Sequence, residues 1–141
     1  MYLLQFVHVA LAIHYNNIVI IFLHMKYHTI QGIISFYMMC TGEEACHFGS
    51  AIGLNDEDMV YAQYREAGVL MWRGFTVEQC MHQCFSTSQD LGRGRQMPVH
   101  YGSKDHNYQF ISSCLATQMP QGELYIIIVP GIISGSRGSD M

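Results

Sequence analysis

Tyr108-Gln109-Phe110-Ile111-Ser112-Ser113-Cys114-Leu115-Ala116-Thr117-Gln118 is the stretch that decides how this chain folds. Its first four residues are mostly aromatic or β-branched and read as a strand. From Ile111 onward, six of eight residues are small, hydroxylated or amide-bearing, set around Leu115. Small side chains let a backbone approach a ligand and leave carbonyls and hydroxyls free to coordinate it. Taken alone, the run reads equally well as a solvated loop or a helix cap.

Upstream, Met59-Val60-Tyr61-Ala62-Gln63-Tyr64 reads as a second short buried strand. Its carboxyl end delivers Tyr64 and Arg65, where open α/β sheets place ligands. Two helices are expected around it. Thr41-Gly42-Glu43-Glu44 fits a capping box, opening a helix to about Gly53, with the glutamates at its positive end. Thr76-Val77-Glu78-Gln79 fits another, opening an amphipathic helix through Phe85. Asn55-Asp56-Glu57-Asp58 reads as a solvent-facing acidic turn. Strands alternating with helices make the expected class α/β.

Composition narrows the function. In 141 residues, 50% are hydrophobic and 13% charged, against about 25% charged in a typical soluble domain. Mean hydropathy is +0.12. Such a chain buries its excess apolar surface against a partner or meets a membrane. Net charge is −4 and the seven basic residues are scattered, which argues against nucleic acid. Five cysteines without framework spacing fit a reducing compartment. Cys80 and Cys84 share a helical face but lack a second ligand pair, so buried thiols explain them better than zinc.

The ends differ from the middle. Residues 1–30 form an apolar segment interrupted by Gln5, His8, His14, Asn16 and Asn17, which argues against a membrane span. They also show no recognisable presequence. Gly92-Arg93-Gly94-Arg95 is a basic loop able to cradle phosphate or simply to face solvent. In residues 122–141, the β-branched run Leu124-Tyr125-Ile126-Ile127-Ile128-Val129 favours strand, and the Ser/Gly tail after it favours disorder.

Three blocks, Gln63-Tyr64-Arg65-Glu66-Ala67-Gly68-Val69-Leu70-Met71, Gly92 to Gly102 and Ile111 to Gln118, resemble in order a known family. It is the alpha subunit of the branched-chain 2-oxoacid dehydrogenase, the thiamine-diphosphate-dependent decarboxylase component. Ile34-Ser35-Phe36-Tyr37-Met38 and Gly42-Glu43-Glu44 join the match, which runs from about Gly32 to Gln121. The resemblance implies a partial thiamine-diphosphate-binding domain over residues 31–121, an incomplete parallel sheet with flanking helices. It implies that Tyr64 and Arg65 hold the cofactor diphosphate with Gln63 beside them, and that Ser113 and Leu115 contact its aminopyrimidine end. Ser112, the carbonyl of Cys114, Thr117 and Gln118 would ligate a structural potassium ion. Cys114 stands where the family has proline, so the carbonyl is kept and the rigid φ is lost. Phe36 and Leu115 would line the pocket for a branched side chain, unless they are simply core residues. His100 could approach the site, although a plain loop histidine is the simpler reading.

The same resemblance implies a beta subunit completing an alpha2-beta2 heterotetramer, an acyltransferase core and the mitochondrial matrix. The family's magnesium-diphosphate motif begins Gly-Asp-Gly, which does not occur in these 141 residues. The chain alone is therefore expected to be inactive. The alternative is a non-catalytic interaction or regulatory fragment docking on the beta subunit.

Overall fold

A computed structural model describes residues 23, 25–38, 40 and 42–126. Three helices carry the fold: α1 (Glu44–Ile52), α2 (Ala67–Trp72) and α3 (Val77–Cys84). Residues 25–30 and 118–126 are helical as well. The sequence features named above in residues 1–22 and 127–141 lie outside the described residues.

Cap chemistry explains where these helices begin. Thr76 accepts a hydrogen bond from the Gln79 backbone N–H at 3.2 Å, and the Gln79 side chain accepts from the Thr76 N–H at 2.8 Å. This reciprocal pair is the expected capping box. At α1 the expectation fails. Gly42 has φ +91°, a left-handed turn that no helix can include, so α1 starts at Glu44 with Glu43 as its N-cap. The Glu44 carboxylate instead accepts from the Gly42 N–H at 2.8 Å. Gly53 ends α1, as the sequence suggests.

The expected strands are corrected. Among the described residues there is no strand, only two isolated bridges, Val60 with Tyr108 in parallel and Ser103 with Tyr108 antiparallel. Val60 donates to the Asn107 carbonyl at 2.8 Å and accepts from Gln109 at 2.9 Å. A ladder grows only where successive residues keep finding partners, and parallel pairing needs both faces covered. Tyr108 has a neighbour on each side for a single residue, and Val60 has one on one side only. The 124–129 run is corrected too: it is helical as far as Ile126. Leu124 and Ile126 are exposed, and without a ladder partner their β preference has nothing to act on.

Arg73, just past α2, clamps the bridge. Its guanidinium donates to the carbonyls of Asn55 (2.8 Å), Asp58 (2.8 Å), His106 (2.9 Å) and Asn107 (3.3 Å). The acidic turn, exposed as expected, is thereby tied to the loop before Tyr108. The core gathers Phe48 of α1, Val69, Leu70 and Met71 of α2, and Cys80 and Cys84 of α3 around Tyr101 and Tyr108. Met25 is buried in the same core. Both α3 thiols are free and buried, as the helical spacing implies.

Helices α1 and α2 meet at one close contact. A Cβ on Gly68 would lie 2.6 Å from His47 Cβ and 2.8 Å from His47 Nδ1, so only glycine lets the two backbones approach this closely. No described helix is long and apolar enough to cross a membrane.

Candidate functional site

The site is assembled by a turn at residues 97–101. Val99 has φ +65°, a conformation that costs a β-branched residue about 1–3 kcal/mol. Its side chain is buried in the core, and its N–H donates to Gln83 Oε1 at 3.1 Å. The Gln83 amide also donates to the Met97 carbonyl at 2.6 Å, so one side chain of α3 holds both ends of the turn. Gly102 follows, pressed so closely on Phe110 that a Cβ would meet its ring at 2.3 Å. Ile111 N–H donates to the Tyr101 carbonyl at 3.1 Å. The 97–102 turn and the 108–111 segment are therefore packed as one unit.

This unit fixes His100, which is only 3% exposed. Its Nδ1 lies 3.0 Å from the Pro98 carbonyl and its Nε2 lies 2.8 Å from Ser113 Oγ. A carbonyl can only accept, so Nδ1 carries a proton. In the neutral ring Nε2 is then an acceptor, and the Ser113 hydroxyl donates to it. The Ser113 oxygen keeps its lone pairs for a donor outside. The Tyr64 ring lies 6.2 Å from that of His100, tilted at 37°. His100 thus links the 63–65 segment to the small-residue segment, a role beyond that of a plain loop histidine. Nothing local in Pro98-Val99-His100 announces it, because the link depends on contacts far along the chain.

The 63–65 segment is anchored from both sides. Gln63 N–H donates to Glu66 Oε2 at 2.8 Å, and the Cys40 thiol donates to the Arg65 carbonyl at 3.0 Å. The Arg65 guanidinium lies 3.5 Å from Glu43 Oε1, both side chains about half exposed. An exposed pair of this kind is worth little and can be exchanged for an incoming anion.

The small-residue segment turns through Ala116 at φ +64°. Cys114 N–H donates to Ser112 Oγ at 3.4 Å, and Thr117 N–H to the Cys114 carbonyl at 3.4 Å. Both bonds are long, and a carbonyl has a second lone pair to offer. The Gln118 side-chain oxygen and nitrogen are shielded from solvent without a hydrogen-bond partner. An amide oxygen without a partner is free to accept from a donor or to meet a hard cation. Phe36 packs against the core, whereas Leu115 is 67% exposed, so the two do not form a closed pocket.

The Gly92–Arg95 loop does not offer a phosphate cradle. The buried Asp90 carboxylate already accepts from the N–H groups of Gly92 (3.0 Å) and Gly94 (2.7 Å). The loop's own aspartate occupies the donors an anion would need. One further grouping joins Glu43 of the expected capping box to two residues that no motif singled out: Cys40, Glu43 and His47 have ligand atoms that all lie within 4.8 Å of one another. Its Cys-x2-Glu-x3-His spacing is the signal that could have found it.

Comparison with known proteins supplies a context for this geometry. The family model described as dehydrogenase E1 component matches residues 17–131. The mitochondrial 2-oxoisovalerate dehydrogenase subunit alpha of Caenorhabditis elegans is 58% identical over 91 residues, covering 64% of this chain and 21% of that protein. Its Homo sapiens counterpart is 58% identical over 91 residues, 64% of this chain and 20% of that protein. In Arabidopsis thaliana, subunit alpha 1 is 57% identical over the same share of this chain, 19% of that protein. The chain spans about a fifth of the length of these relatives.

Proposed function

The chain belongs to the dehydrogenase E1 component family, and from that premise we propose that it supplies part of the cofactor site of a branched-chain 2-oxoacid dehydrogenase alpha subunit. The reaction class is oxidative decarboxylation of branched-chain 2-oxo acids, in the mitochondrial matrix and with a beta subunit as partner. Thiamine diphosphate, when bound, would supply a cationic thiazolium ring into which the electron pair left by decarboxylation is delocalised. The chain's residues bind and orient.

Arg65 exchanges Glu43 for the diphosphate, gaining charge-assisted hydrogen bonds, with Tyr64 and Gln63 alongside. Ser113, with its hydroxyl proton turned to His100, offers its oxygen to the aminopyrimidine end beside Leu115. Ser112, Cys114, Thr117 and Gln118 hold potassium and so stiffen the segment. Phe36 and Leu115 contact the branched substrate, Leu115 once a partner covers it. The α/β sheet of the family is completed only with more of the polypeptide than these two bridges. The observation that carries this reading is His100, in contact with both Tyr64 and Ser113.

A second reading, an interaction fragment without cofactor, is favoured by the exposed apolar side chains Leu115, Met119, Leu124 and Ile126. One experiment separates the two. The chain is co-purified with the matching beta subunit, then titrated calorimetrically with thiamine diphosphate and magnesium. Saturable binding that Arg65→Ala weakens at least tenfold supports the cofactor site. A complex without binding supports the interaction fragment, and no complex refutes both. Because the magnesium motif is not in this sequence, no turnover is expected from the chain alone.

A further inference from the structure

We propose that Cys40, Glu43 and His47 form a three-ligand site for a zinc-class divalent cation at the start of α1. The site does not rest on the cofactor reading, although it borders Arg65 through Glu43 and the Cys40 hydrogen bond. Glu43 caps α1 and His47 lies one turn further along it, so both project to the same side. Cys40 comes in from the segment before the Gly42 turn and is almost fully buried. The three ligand atoms lie within 4.8 Å of one another. Tetrahedral zinc, with bonds of about 2.0–2.3 Å, sets its ligands about 3.3–3.8 Å apart. Closure therefore asks for about an ångström, within reach of side-chain rotation at the half-exposed Glu43.

Two further observations point to a ligand. His47 is only 5% exposed, and its Nδ1 is shielded with no hydrogen-bond partner. A buried imidazole nitrogen without a partner is unusual, and coordination by this ring would resolve it. The local charge also suits a cation. Glu43, Glu44 and Glu66 act on Cys40 against the single guanidinium of Arg65. Thiolate, imidazole and carboxylate together select zinc-like ions over magnesium or calcium, which prefer all-oxygen sets. On binding, the Cys40 S–H proton passes to solvent as the S–metal bond forms, and the hydrogen bond to the Arg65 carbonyl is given up. Three protein ligands leave one position open to water.

Cobalt(II) tests this, because its absorption reports thiolate ligation. The full chain titrated with Co2+ should develop a thiolate charge-transfer band saturating at one ion per chain and displaced by Zn2+. Cys40→Ser should abolish the band, whereas Cys46→Ser and Cys114→Ser, at the two exposed cysteines, should leave it. Glu43→Gln, a half-exposed change that spares the fold, should weaken Co2+ binding at least tenfold with an unchanged circular dichroism spectrum. Absence of the band in the native chain, its survival in Cys40→Ser, or native affinity in Glu43→Gln would each overturn the proposal.

Discussion

Replacing Gly68 by alanine tests the contact on which the α1–α2 packing depends. The added Cβ would sit 2.6 Å from His47 Cβ and 3.0 Å from His47 Cγ. Non-bonded carbons rest about 3.5–4.0 Å apart, so the helices must separate by about 1 Å. Forced repacking of this kind costs about 1–3 kcal/mol. Alanine returns up to about 1 kcal/mol through its better helix propensity. The net expectation is a loss of about 1–2 kcal/mol, a fall in Tm of about 4–8 °C for a domain of this size. Urea and thermal unfolding followed by circular dichroism measure it. A second background sharpens the test: His47→Gly removes the Cβ that clashes. There Gly68→Ala should stabilise by up to about 1 kcal/mol, because only propensity remains. If Gly68→Ala destabilises equally in both backgrounds, the backbone approach of α1 and α2 is not its cause and the reasoning fails.

Four other outcomes are expected. Thr76→Ala removes the reciprocal cap of α3 and should cost about 1 kcal/mol by urea denaturation. Arg73→Met strips the guanidinium from four carbonyls and should cost roughly 2–3 kcal/mol, with Arg73→Lys recovering less than half because it lacks the planar fork. Asp90→Ala leaves the N–H groups of Gly92 and Gly94 without their acceptor and should cost about 1–3 kcal/mol, visible as faster amide exchange in that loop. The pH dependence should include a marked fall at the alkaline end. Burial raises the pKa of Tyr37, Cys80, Cys84, Tyr101 and Tyr108, so the folded state keeps protons that the unfolded chain gives up near pH 9 to 10. Stability is therefore complete below that range and falls as pH rises through it, by up to about 1.4 kcal/mol per pH unit for each group. A flat unfolding midpoint from pH 8 to 10.5 would contradict their burial.

Features that rest on near neighbours along the chain are legible in the sequence itself. The α3 start at Thr76, the α1 end at Gly53 and the buried thiols of Cys80 and Cys84 follow from hydrogen bonds and spacings within one turn. The family likeness is legible as well, since it is carried by the linear order of blocks such as Gln63–Met71 and Ile111–Gln118. The strands are not. Whether Met59–Tyr64 or Tyr108–Ile111 forms a ladder depends on partners that the segment does not contain, and here each is paired at a single residue. The same dependence lets Leu124–Ile126 close as helix although it opens a run that favours strand.

The candidate site divides along the same line. Tyr64, Arg65 and the Ser112–Gln118 run can be picked out by residue type and order. His100 cannot, because its meaning comes from a left-handed Val99, an α3 glutamine holding the turn, and a serine thirteen residues on. By itself the sequence determined which local caps form, which thiols face inward and which family the chain resembles. Tertiary structure alone decided which distant side chains meet: His100 with Tyr64 and Ser113, Arg73 with the loop before Tyr108, and His47 with Gly68. A cap is an equilibrium among residues within one turn, whereas these contacts exist only once distant backbone has been packed to within a hydrogen bond's length.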